Sequence, residues 1–344
     1  MQAVCAALIV PNGSALLREV LPAERRGAGF GILGAGIAVA AAGGPPLGGV
    51  LVELGGWRSI FYVNLLMVAP ALLIGLKALP AMKAPTSRPR FDMQGAVVLP
   101  ILLVAAAWIL ISFSKGPDVL VLAVGIPLIT VVAVAFGWYE RRSPDPIVQF
   151  GFFKNRAFSA AAAGICFANL AMYSLLISIP LLLSARDHST LRSGLILTVM
   201  SAGMVISSIP GGRTIDRFGR RIPTTLCLVI LAAGILRIAF GGTDVSMTQM
   251  LIGLSLVGLG LGLSTPGLQT SAVEERDSGS AAGLCSTSRY LGSITGSAII
   301  AGILGADKAD VDGLALVFVL SLSGALIAVV ASLGLRSGRP VAGT

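Results

Sequence analysis

Apolar runs of about 20 residues alternate with short polar connections along the whole chain. The pattern predicts hydrophobic spans at 3–17, 28–52, 59–79, 93–113, 119–139, 157–183, 193–212, 222–241, 248–270, 281–304 and 314–335. At about 1.5 Å of rise per residue, a run of this length crosses a hydrocarbon core of roughly 30 Å as a helix. The fold class predicted is an all-α polytopic membrane protein with about eleven transmembrane helices. Only the first run, 3–17, is short for a crossing, and no basic residues precede it, which argues against a signal peptide.

Composition agrees with the pattern. Of 344 residues, 55% are hydrophobic and 12% charged, and the mean hydropathy is +0.89. A soluble domain carries roughly 25% charged residues. The net charge of +9 changes the picture only through its placement. The connections 18–27, 80–92, 140–156, 213–221, 271–280 and the tail after 335, counted with their flanks, hold all but six of the 25 basic residues. The exceptions are Arg58, Lys115, Arg186, Arg192, Arg237 and Lys308. This asymmetry assigns the basic connections and the C-terminus to the cytoplasm and accounts for the charge without a nucleic-acid partner. Arg289 counts here with the flank of a basic connection. Arg237 is then the one basic residue within a span, read as snorkelling to the outer face.

Little else suggests bound chemistry. Cys5, Cys166, Cys227 and Cys285 are far apart and lie in apolar segments, and His188 sits in a polar loop. No spacing suggests a metal or a disulfide framework, no cofactor is implied, and no nucleophile–base pair or phosphate loop points to an enzyme.

Two polar-punctuated stretches are informative. Residues 34–49 read GAGIAVAAAGGPPLGG inside an apolar run. In water, Pro and Gly would end a helix there; in lipid, with neighbouring partners, the helix persists. Gly44, Gly48 and Gly49 leave a bare face for close helix approach, and Pro45 and Pro46 bend the segment. The second stretch, GGRTIDRFGRR (211–221), starts on Gly211 and Gly212. Asp216 and Arg220 are four apart and can pair across one helical turn. Gly219 permits a tight turn. Arg213, Arg217, Arg220 and Arg221 can meet helix-end carbonyls or anionic headgroups. Such a charged latch holds two helices together in one conformation and releases them in another.

These stretches carry a family resemblance. Gly31, Ala40, Gly44, Pro45, Gly48 and Gly49 resemble the fifth-helix signature of antiporters of the major facilitator superfamily, with Ala40 where the family often has Gly. GWRSIFYVN (56–64) resembles the start of its sixth helix, and residues 2–27 look like its fourth helix and the loop after it. GGRTIDRFGRR resembles its cytoplasmic-loop motif, and PIVQFGFFKNRAF (146–158) looks like the fourteen-span drug–proton antiporter branch. The resemblance implies an N-terminally incomplete chain lacking the first three helices. It implies a remnant of the N-terminal bundle over 1–79, two linking helices and their loops over 80–156, a C-terminal six-helix bundle over 157–335 and a cytoplasmic tail over 336–344.

The resemblance further implies proton-coupled efflux of amphipathic small molecules or drugs by alternating access, across the cell membrane. Two alternatives are a metabolite or siderophore permease on the same scaffold and a non-transporting truncated membrane protein. No carboxylate lies near the centre of a span, so the proton carrier is not visible. Asn169, Tyr173 and Ser174, near the middle of 157–183, are the first candidates for substrate contact, with Trp108 and Gln269 behind them.

Overall fold

The computed structural model describes residues 2–78, 92–114, 121–143, 146, 148–186, 190–272, 278–304 and 311–336. The connection 79–91, His188, residues 273–277 and the tail 337–344 lie outside the described residues. Helices follow one another throughout: α1 (Gln2–Val20), α2 (Arg26–Gly55), α3 (Ser59–Ala78), α4 (Met93–Ser114), α5 (Ile126–Glu140), α6 (Arg156–Ala185), α7 (Thr190–Phe218), α8 (Arg221–Ala239), α9 (Met247–Ala272), α10 (Ser278–Leu304) and α11 (Val311–Ser332). Each predicted span falls on one of them. Among the described residues, seven helices are long and apolar enough to cross a membrane: α3, α5 with its preceding turn, α6, α7, α8, α9 and α11.

The helices obey the rules of a lipid solvent. Pro11, Pro70, Pro100, Pro180, Pro210 and Pro266 lie inside helices. Each would cost about 3 kcal/mol in an isolated aqueous helix. Hydroxyls on the spans bond back to their own helix. The Oγ of Ser207, Ser208 and Ser255 donates to the carbonyl four residues earlier at 2.7–2.8 Å. Helix starts carry ordinary caps. Asn155 Oδ1 accepts from Ala157 N at 3.0 Å before α6, and Ser246 and Gln249 exchange bonds before α9. Gly219, at φ +83°, makes the sharp corner between α7 and α8 that the sequence predicts.

The core lies in α6–α11. Leu175, Ile179 and Leu183 of α6 meet Leu228, Leu231 and Ile235 of α8, Leu254 and Val257 of α9, and Val317 and Phe318 of α11. Backbone contact through glycine builds this unit. On α9, a Cβ on Gly234's facing partner Gly253, or on Gly260, would run into α8, while one on Gly258 or Gly262 would run into α7. One helix thus presents small faces to two neighbours. α1 and α2 then dock on this unit: α2 along α7 and α9, α1 along α10. A small apolar cluster, Phe30 with Ala282, Leu17 and Leu33, marks that seam.

Candidate functional site

The seam between α1–α2 and the α6–α11 unit carries the chemistry. At the start of α2, Asp216 of α7 accepts two backbone hydrogen bonds across the seam. Gly27 N donates to Oδ1 and Ala28 N to Oδ2, both at 2.8 Å. These N–H groups belong to the first turn of α2, where no intrahelical acceptor exists and the helix dipole is positive. A carboxylate supplied by another helix therefore caps α2. Charge-assisted bonds of this kind contribute on the order of 1.5–3 kcal/mol each.

The expected Asp216–Arg220 pairing takes second place to this contact. Both Asp216 oxygens are engaged by α2, while Arg220, buried at 5% exposure, stays close enough for its charge to act on the same carboxylate. Arg217 is exposed and lies over the Phe218 ring at 5.3 Å. Arg221 opens α8.

Glycine makes the approach possible. A Cβ on Gly212 would collide with the Gly27 carbonyl, and one on Gly31 would sit 2.6 Å from the Ser208 carbonyl oxygen. Gly27 and Gly31 are four apart on α2, as are Ser208, Gly212 and Asp216 on α7, so both rows run along one helix face. Close approach of α2 to α7 is thus made near the start of α2, at Gly27 and Gly31. At Gly44 nothing lies within 4 Å of a built Cβ, and α2 continues as helix through Pro45 and Pro46. The side chains at Pro45, Gly48 and Gly49 lie outside the described residues. Arg26 adds a second cap. Its guanidinium donates to the Leu21 and Arg18 carbonyls at 3.2 and 3.0 Å, closing the C-terminus of α1. Sequence reading missed Gly27 and Arg26; the signal was a Gly four residues ahead of Gly31.

Beside the latch, a small cleft crosses the same seam. Ser14 of α1, Leu33 and Ile37 of α2, Gln269 of α9 and Cys285, Ser286 and Arg289 of α10 line it, with about 20 Å³ of free space. That is room for a water-sized guest. Arg289 requires a correction. It stands eleven residues into α10, about 16 Å from the helix start, so it lies well inside the helix rather than in the connection before it.

The five residues expected to contact substrate divide. Gln269, 5% exposed, lines the cleft, and its Oε1 has no hydrogen-bond partner among the described residues. Tyr173 of α6 lies within electrostatic reach of the Arg289 guanidinium. Asn169 turns back on its own helix, Nδ2 donating to the Ile165 carbonyl at 2.8 Å. Ser174 is fully buried between α6 and α10, near Gly296, and its Oγ lacks a partner. Trp108 is 60% exposed on α4 and is not brought to the cleft.

The chain has relatives among known proteins. The model of the Major Facilitator Superfamily matches residues 1–297. The chain belongs to the major facilitator superfamily. It is 31% identical over 342 residues to an uncharacterized MFS-type transporter, YvkA, of Bacillus subtilis, covering 98% of this chain and 74% of that one. It is 32% identical over 314 residues to the multidrug resistance protein Stp of Mycobacterium tuberculosis, covering 89% of this chain and 58% of that protein. A probable actinorhodin transporter of Streptomyces coelicolor is 28% identical over 336 residues, with 91% of this chain and 57% of the relative covered. The chain spans under two thirds of the length of the last two. As a member of this superfamily it is a multi-pass membrane transporter.

Proposed function

We propose that this transporter exports amphipathic small molecules by alternating access, driven by proton antiport and acting in the cell membrane. The observation that carries the reading is the Asp216 carboxylate on the N-terminus of α2. It joins two helix groups through a contact that can be wholly made or wholly released, as a two-state carrier needs. Moving such an equilibrium from 1:99 to 99:1 takes about 5.5 kcal/mol, comparable to two charge-assisted bonds. The multidrug and actinorhodin relatives support a substrate of drug-like chemistry. In this reading the basic connections and the C-terminus face the cytoplasm, so the latch closes the inner side. Residues 157–335 form one bundle, 1–79 contribute to the facing one, and 93–139 link them. Substrate contacts come from Gln269 and Tyr173, with Asn169, Ser174 and Trp108 as further positions.

The test is efflux of a panel of amphipaths, cationic (ethidium), neutral and anionic, from proteoliposomes holding the purified 344-residue chain. A proton gradient is expected to drive efflux, and a protonophore to abolish it. Gradient-independent leakage, or no flux in either orientation, would overturn the reading.

A further inference from the structure

We propose that the seam cleft around Arg289 is an anion subsite, and that the amphipaths this transporter recognises carry a carboxylate. The inference rests on the export reading for its purpose, but it stands on its own geometry.

Arg289 puts a permanent positive charge near mid-depth of α10. The titratable groups facing it are Tyr290, Cys285 and Tyr173; no carboxylate among the described residues is one of them. A guanidinium is a rigid fork of donors that fits a carboxylate with two parallel bonds. In a low-dielectric site, a guanidinium of this kind favours an anionic guest far more than it would in water.

Gln269 is the second, independent observation. It reaches the same cleft from α9, is 95% buried by its 5% exposure, and leaves Oε1 unpartnered. A buried acceptor without a donor is costly in the empty site and is satisfied by a guest's hydroxyl or amide. The rest of the wall divides by polarity. Ser14 and Ser286 add hydroxyls, while Leu33, Ile37 and Ala282 form an apolar side. One charged corner, one acceptor and one greasy wall match an aromatic or aliphatic acid with a neighbouring donor.

The walls also come from both sides of the seam. Leu33 and Ile37 ride on α2, the helix whose start Asp216 caps, and Arg289 and Gln269 ride on the opposite unit. Release of the latch therefore widens this cleft, and its present size suits the closed state.

The experiment compares binding of three tritiated probes with one apolar body: 1-naphthaleneacetate, its neutral amide and 1-naphthylmethylammonium. Scintillation proximity on the detergent-purified 344-residue chain gives the affinities. The wild-type chain is expected to bind the acid at least about tenfold more tightly than the other two, the scale of a buried charge pair. Arg289→Gln should erase that preference, and Arg289→Lys should restore part of it. Gln269→Leu keeps the charge but removes the acceptor to which only the amide and the ammonium can donate; it should weaken those two probes and widen the acid preference several-fold, so the proposal remains testable if Arg289→Gln does not fold. Equal binding of all three probes by the wild type, no binding of any, or a preference that survives Arg289→Gln overturns the subsite. Proton-driven efflux of the same three probes from proteoliposomes, run in parallel, separates the two readings: efflux without acid preference removes only the subsite, and acid preference in binding without efflux of any probe removes only the exporter.

Discussion

α3 and α8 are two apolar helices of the same fold with opposite fates. Their most apolar stretches, Ser59–Lys77 and Arg221–Ala239, are each 19 residues long and equal in mean hydropathy. None of the first is buried inside the protein and half of the second is. Leu65, Leu66, Leu72 and Leu73 of α3 all face outward, whereas Leu228, Leu231 and Ile235 of α8 are fully enclosed. α9, less hydropathic than either, is the most buried of the spans at 61%. Hydropathy brings a helix into the bilayer but does not decide which helices meet, because lipid tails are as apolar as leucine. What differs is the small-residue relief. α9 offers Gly253 and Gly260 to α8 and Gly258 and Gly262 to α7, so backbones come into contact over a long crossing.

The sharpest way to break this comparison is to trim a leucine on each helix. Leu231→Ala is expected to cost about 2 kcal/mol, the lower end of the range for core leucines, since the unfolded segment rests in lipid rather than water. Leu66→Ala on α3 should stay within about 0.5 kcal/mol. Thermal midpoints in a fixed detergent, read by loss of the monodisperse peak, check both; equal shifts would remove the distinction.

The next largest effect is expected at the latch. Gly212→Val forces a side chain into the Gly27 backbone, while Gly36→Val on α2 meets nothing within 4 Å. The first should destabilise by about 1–3 kcal/mol and the second should be near neutral. Identical behaviour would show that α2 does not lie on α7 as described.

Asp216→Asn keeps the shape of the cap and removes its charge. It should weaken the latch by about 1–2 kcal/mol, the difference between charged and neutral hydrogen bonds. Cys285, enclosed in the seam cleft, then becomes roughly tenfold more reactive toward a maleimide, and Cys227, away on α8, does not. Site-resolved mass spectrometry reads both thiols in one sample, and unchanged Cys285 labelling would argue against a releasable contact. A small change is expected at Ser174→Ala, within about 1 kcal/mol, since the hydroxyl it removes has no partner among the described residues.

The helices and the charged turns were legible because both are local properties. A run of apolar residues is apolar whatever it touches, and Gly219 takes its left-handed turn next to the loop it serves. The latch was half legible. Asp216 stood out as an acid in a basic run, and the nearest cation in sequence, Arg220, was the natural partner. The acceptor's true donors are main-chain groups of Gly27 and Ala28, which carry no side-chain signature and lie 189 and 188 residues away. Arg289 was hidden for another reason. Counting charge by proximity to a basic connection put it with a flank although the span 281–304 encloses it, and the helix bounds place it eleven residues past the start of α10.

Sequence alone therefore settled the solvent and the helical repertoire, since each follows from how single segments partition between water and lipid. Tertiary structure alone decided the rest: which helix start Asp216 caps, that α3 is left on the outside, and that Gln269, Tyr173 and Arg289 come near one another from three helices. Those outcomes depend on surface relief between segments far apart in the chain, and lipid, indifferent to which apolar face it covers, leaves that choice to the backbone contacts that glycine permits.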